Sequence, residues 1–279
     1  FLCFLVFLVV QVFGEDIVPH LTPHYKVILF NNPGLNGTSV PLTLTVEKIA
    51  EYAKEVLDYL NVDKCHVVGH SMGGFTAQAF TLNYSEMVNK LILVSTSYGG
   101  PHTQKYSADL AEEGFIKAFD KDHTSNLKDN PEKYVEFASS PYFVKEKPVE
   151  FKHWAHYFAD IASDTITTLR HFGCASLFNS YGKVHEINKE VLVIHGKDDK
   201  LVRPDGGEGL AEQIPNAKLL MLENCGHIPM YEREETFSCI VDFLNGKSVG
   251  VTVKTKPAGK HEKTLDHALK TYALVLSAL

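Results

Sequence analysis

From Lys26 to Leu244 the chain alternates short, unbroken apolar runs with longer stretches in which apolar residues recur every three or four positions. The short runs read as strands buried on both faces, as in a parallel sheet, and the longer stretches as helices with one apolar stripe. Lys26–Phe30 predicts a buried strand, closed by the turn cluster Asn31-Asn32-Pro33-Gly34-Leu35-Asn36-Gly37. Thr45 is placed to cap the next helix, with Glu47 in its first turn. Val46, Ile49, Ala53, Val56, Leu57 and Leu60 form that helix's stripe. Cys65–Val68, Leu91–Val94, Val191–Ile194 and Lys218–Leu222 predict further strands, with a helix from Ser71 and a last one over Glu234–Leu244.

The alternation stops after Gly99-Gly100-Pro101. Residues 101–188 read as helices and loops. Asn130-Pro131 marks a helix start, because proline's missing N–H costs nothing there. Phe151, Trp154, Phe158 and Ile161 give another helical stripe, core of the insert with some aromatics available to line a pocket. This pattern predicts an α/β core from residues 1–100 and 189–246, an inserted helical unit at 101–188, and a tail at 247–279 that ends in an amphipathic stretch, Thr264–Leu279.

Phe1–Val10 is continuously apolar. It falls well short of the ~20 residues that span a bilayer, so no stable membrane span is expected. Two readings stay open. It fits the apolar region of a signal peptide, although a basic segment before it is absent, and it fits a buried parallel strand. The first residue is Phe1, as in a fragment or a processed form.

Composition narrows the function classes only a little. Hydrophobic residues at 44% and charged residues at 22% are those of an ordinary globular protein. A formal charge of −7 argues against a nucleic-acid partner, which needs basic faces to meet phosphates. The five cysteines (Cys3, Cys65, Cys174, Cys225, Cys239) have neither paired nor metal-ligand spacing and read as small buried hydrophobes. The triplets Asn36-Gly37-Thr38 and Asn83-Tyr84-Ser85 are glycosylation acceptors in form, which leaves the compartment open.

The chemistry-bearing residues follow strands. Gly69-His70-Ser71-Met72-Gly73-Gly74 lies between a buried strand and an apolar helix. A nucleophile on such a sharp turn needs small neighbours, here Gly69 and Gly73, and the helix start offers N–H groups to an oxyanion. His227, in Cys225-Gly226-His227, follows the last strand, where a general base would reach Ser71. Between them, His195-Gly196-Lys197-Asp198-Asp199 again follows a strand, and a carboxylate there could orient the imidazole. His153 and His156 read as surface residues. No metal, nucleotide or flavin motif appears, and no cofactor is expected.

With these motifs the chain resembles the α/β-hydrolase superfamily over roughly residues 1–245, in the branch with GHSMGG elbows and helical caps. The stretch Val62–Pro101, with HVVGHSMGG and then KLILVSTSYGGP, is similar to small-molecule esterases and enol-lactonase-like hydrolases. The resemblance implies a mostly parallel sheet flanked by helices, with the cap inserted after the family's sixth strand. It implies Asp199 rather than Asp198 as the acid, three residues after the glycine of the loop. It also implies Met72 N–H as one oxyanion donor. The family's usual His-Gly is replaced by Gln11-Val12-Phe13-Gly14, making Phe13 N–H the nearest match for the second donor. Asn31 stands where the family usually has aspartate, in a turn that is mainly structural. The expected activity is two-step hydrolysis of a small ester or lactone. The rivals are C–C hydrolysis or acyl transfer by the same residues, and a ligand-binding or inactive hydrolase-fold protein with a defective oxyanion hole. Oligomeric state is not legible.

Overall fold

The computed structural model describes residues 4–8, 14–35, 38–39, 41, 43–100, 128–161 and 164–250. Among the described residues six parallel strands make one sheet: β1 (Phe4–Leu8), β2 (Lys26–Phe30), β3 (Cys65–His70), β4 (Val88–Val94), β5 (Glu190–Gly196) and β6 (Ala217–Leu222). Their order is β2-β1-β3-β4-β5-β6, all neighbours parallel. The N-terminal apolar run therefore supplies a strand inside the sheet, with Phe4 opposite both Lys26 and Cys65.

Because side chains alternate across a strand, each buried strand feeds two cores. On β4, Leu91 and Leu93 join one apolar cluster while Ile92 and Val94 join the other. The first cluster takes Val46, Ile49, Ala53 and Leu57 from α2 (Val46–Tyr59), Phe75 and Phe80 from α3 (Met72–Asn83), and Leu210 from a helix after β5. Thr45 caps α2 as expected, its hydroxyl accepting from Lys48 N–H at 3.1 Å. Val56 and Leu60 depart from the expected stripe and are 38% and 45% exposed, at its solvent edge.

β2 corrects another expectation. It is only half-buried, with Leu29 44% exposed, because it lies at an edge of the described sheet rather than within it. The segment before it forms helix α1 (Gly14–Leu21), which the sequence did not announce because Pro19 sits inside it.

Between β4 and β5 the described residues hold helices and no strand: α4 (Pro131–Val135), α5 (Pro141–Glu146), α6 (Pro148–Ile161) and α7 (Thr165–Leu177). Pro131 does open a helix. Phe151 and Trp154 are buried in the second cluster with Phe237, Ile240 and Phe243, while Phe158 is partly buried. His153 and His156 are exposed. The chain closes with α8 (Pro204–Gln213), α9 (Pro229–Glu232) and α10 (Glu235–Leu244). Cys65, Cys174 and Cys225 are buried free thiols. Residues 101–127, most of the C-terminal tail and Phe13 lie outside the described residues, as does the pairing of Phe13 N–H with any acceptor. Among the described residues no helix is long and apolar enough to cross a membrane.

Candidate active site

Ser71 stands alone between β3, which ends at His70, and α3, which begins at Met72. Its backbone has φ 54° and ψ −121°, a conformation that L-residues rarely adopt and that costs about 1–3 kcal/mol. Three contacts hold it there. Ser71 N–H donates to Val94 O at 2.9 Å, and Ser71 O accepts from Gly74 N–H at 2.9 Å and from the Thr96 hydroxyl at 2.8 Å. A Cβ on Gly69 would lie 2.7 Å from Ala77 Cβ and would meet the Gly73 carbonyl, so the turn closes only over glycine. At this turn Ser71 is partly exposed.

Ser71 Oγ lies 2.9 Å from His227 Nε2, and His227 Nδ1 lies 2.8 Å from Asp199 Oδ2. These contacts fix the proton positions. Asp199 is buried, which opposes ionisation. The positive charge that His227 carries when protonated and the hydrogen bonds from His195 and His227 outweigh that and hold its carboxyl well below the usual range. As an ionised carboxylate only accepts, Nδ1 must carry the proton, and Nε2 is then free to accept from the serine hydroxyl.

Asp199 is held from both sides. Its Oδ1 accepts Leu201 N–H and Val202 N–H, each at 2.9 Å, and its Oδ2 also lies 3.3 Å from His195 Nε2. The loops bearing Asp199 and His227 are laced together by Lys197 N–H to Leu222 O at 2.9 Å and Asp198 N–H to Cys225 O at 2.8 Å. A Cβ at Gly196 would collide with the main chain of Cys225 and Gly226, so this close approach depends on glycine. Asp198 is half-buried, and it is Asp199 whose carboxylate meets the imidazole.

Met72, the other described site residue, is buried at the first position of α3, where N–H groups have no intrahelical acceptor. Phe13 is outside the described residues, so the second donor of the sequence reading stays an expectation. Among the described residues no group of three His, Cys, Asp or Glu is arranged to hold a metal.

The sequence reading passed over His70 and His195. His70 Nε2 donates to the main-chain oxygen of His227 at 2.7 Å, and burial, with the neighbouring His227, pushes its pKa down to about 3. His195 is fully buried, with Nε2 2.8 Å from Val202 O. Both flank recognised motif positions, and that adjacency was the only sequence signal for either. Such a hydroxyl–imidazole–carboxylate chain can pass the serine proton to the imidazole as Oγ attacks a carbonyl, while the carboxylate stabilises the resulting imidazolium.

Residues 10–234 match a family described as the alpha/beta hydrolase fold. A 2-hydroxy-6-oxononadienedioate/2-hydroxy-6-oxononatrienedioate hydrolase from Paraburkholderia phymatum is 31% identical over 237 residues, covering 79% of this chain and 76% of its own. The solved enol-lactonase from Burkholderia xenovorans LB400 superposes with a TM-score of 0.72 at 18% identity, covering 88% of this chain and 92% of that one. The meta-cleavage product hydrolase CumD from Pseudomonas fluorescens IP01, solved as a mutant complexed with acetates, gives a TM-score of 0.68 at 20% identity, covering 88% and 91%.

Proposed function

The chain belongs to the α/β-hydrolase fold family, a hydrolase in class, and from that premise we propose that it cleaves small carboxylic esters or lactones through an acyl-enzyme on Ser71. The observation that carries this reading is the unbroken chain from Ser71 Oγ through His227 to Asp199, at 2.9 Å and 2.8 Å. In it, His227 takes the serine proton as Oγ adds to the carbonyl carbon. His227 then returns that proton to the leaving alkoxide, and in the second half-reaction activates water against the acyl-enzyme. Asp199 holds the imidazole in the competent tautomer. Met72 N–H and Phe13 N–H receive the oxyanion, and helices α4–α7 form the cap that shapes the substrate site. The partner is a small molecule, and no cofactor is needed for this chemistry.

One observation favours a second reading. The relatives in Paraburkholderia phymatum and Cupriavidus pinatubonensis carry names of hydrolases for oxo-dienedioates, compounds with no ester linkage. Water acting on such a compound can cleave only a C–C bond beside the ketone, with the carbon fragment leaving in place of an alkoxide. A single preparation distinguishes the two, assayed against a p-nitrophenyl alkanoate, a small lactone and a 2-hydroxy-6-oxo-dienoate. A higher kcat/KM for the ester or lactone supports the first reading. Faster loss of dienoate absorbance, with weak ester turnover, replaces it with the second. Binding without turnover of any of the three, unchanged by Ser71→Ala, would make the chain a ligand-binding member of the fold.

A further inference from the structure

Glu232 takes no part in the chain from Ser71 to Asp199, yet it is 1% exposed, at the end of the short helix α9. Its Oε2 accepts two main-chain N–H groups, from Gly226 at 2.9 Å and from Ser140 at 3.1 Å. Its Oε1 has no hydrogen-bond partner among the described residues. Gly226 immediately precedes His227, and Ser140 caps α5 of the insert by accepting from Phe143 N–H at 3.1 Å.

Two more contacts run beside this bridge. His227 N–H donates to Ala138 O at 2.8 Å, and the Ser140 hydroxyl donates to Asn224 O at 3.1 Å. The loop that carries the imidazole is thus bound to the insert at residues 224, 226 and 227. Burial raises the pKa of the Glu232 carboxyl, and an unpartnered buried oxygen is a cost that packing alone would not require. An apolar side chain would fill the same space, but it would leave the Gly226 and Ser140 N–H groups without an acceptor.

We propose that Glu232 is a positioning residue for the general base, clamping Gly226 of the histidine loop to Ser140 of the insert so that seating the insert and aiming His227 are one structural event. This rests on His227 being the base, as in the reading above. Glu232 acts through the loop and does not touch the substrate. Misplacing a reacting group by about 1 Å can cost on the order of 10²-fold in rate, so a clamp of this kind acts on kcat.

The test compares wild type, Glu232→Ala, Glu232→Asp, Glu232→Gln and His227→Ala, with p-nitrophenyl acetate as substrate and reactive serines counted by fluorophosphonate titration carried to completion. Glu232→Ala is expected to lower kcat per titrated site by roughly 10- to 100-fold, with KM within about twofold. Glu232→Gln, whose amide oxygen still accepts both N–H groups, is expected to recover to within about threefold of wild type. Glu232→Asp keeps the charge but falls short of both donors, so it is expected to follow alanine, and it carries the test if the alanine protein does not fold. A merely structural carboxylate would lower the melting temperature and the number of titrated sites while leaving kcat per site unchanged. That result in alanine or aspartate overturns the proposal, as does a glutamine variant no better than alanine. Should His227→Ala turn over like wild type, the base assignment itself fails, and the clamp with it.

Discussion

His70, the residue just before the nucleophile, donates from Nε2 to the main-chain oxygen of His227 at 2.7 Å. The strand that presents the serine thereby also holds the loop that presents the imidazole. The two rings lie 4.8 Å apart, centroid to centroid. Replacing His70 by alanine leaves the His227 carbonyl without this donor in a buried site, at a cost of about 1–3 kcal/mol. His70→Ala is expected to lower kcat for an ester by about tenfold or more, since the base then loses one of its fixed points. His70→Gln, which retains an N–H donor, is expected to recover part of that loss. Steady-state kinetics and thermal melts of the two variants check both effects.

The adjacent aspartates make a sharper comparison. Asp199 meets His227 Nδ1 at 2.8 Å, whereas Asp198 contributes its main-chain N–H to Cys225 O. Asp199→Asn replaces an acceptor that fixes the imidazole tautomer, and a loss of about 10⁴-fold in kcat is expected. Asp198→Asn leaves the main-chain contact intact and should change kcat/KM by less than about threefold. Folded variants ranked the other way would transfer the acid role to Asp198.

Stability should fall on the acid side of neutrality. His70 and His66 are buried, with pKa values pushed down to about 3 and about 4, in His66 also by the charge of Lys90. Unfolded histidines titrate near 6.5, so between that pH and the folded values the unfolded state binds more protons, and stability rises with pH. Their contribution is complete above about pH 6.5 and is lost as pH falls towards 4 and then 3. Asp199, held low, acts in the same direction at lower pH, while Glu232, raised by burial, offsets part of the trend. The melting temperature is expected to drop between pH 7 and pH 5, and to drop less in His66→Gln. A flat profile over that range would show that these imidazoles are not buried in their neutral form.

Much of the architecture was legible because the apolar runs are short, bounded by turn residues and buried on both faces. The predicted Cys65–Val68 and Val191–Ile194 are observed as Cys65–His70 and Glu190–Gly196. Ser71 could be singled out because it directly follows a strand and His227 because it lies on the loop after the last one, whereas Asp199 was preferred to Asp198 only on the resemblance to the family. Strand order, by contrast, is not written locally, so the edge position and the exposure of Lys26–Phe30 were missed. Leu60 carries the right spacing for the core of α2 but sits at the helix's C-cap, past its last turn. No motif in the sequence singles out Glu232. Its burial arises only when α9 brings it under the histidine loop against residue 140, far away in the chain.

The central claim is that Ser71 is a nucleophile activated by His227, and peptide mapping of a fluorophosphonate-treated protein tests it most directly. Wild type is expected to carry the adduct on Ser71. Ser71→Ala should show no labelling, and His227→Ala labelling slower by on the order of 10³-fold or more, as for loss of a triad member. An adduct on another residue, or labelling of wild type no faster than that of His227→Ala, would contradict the account.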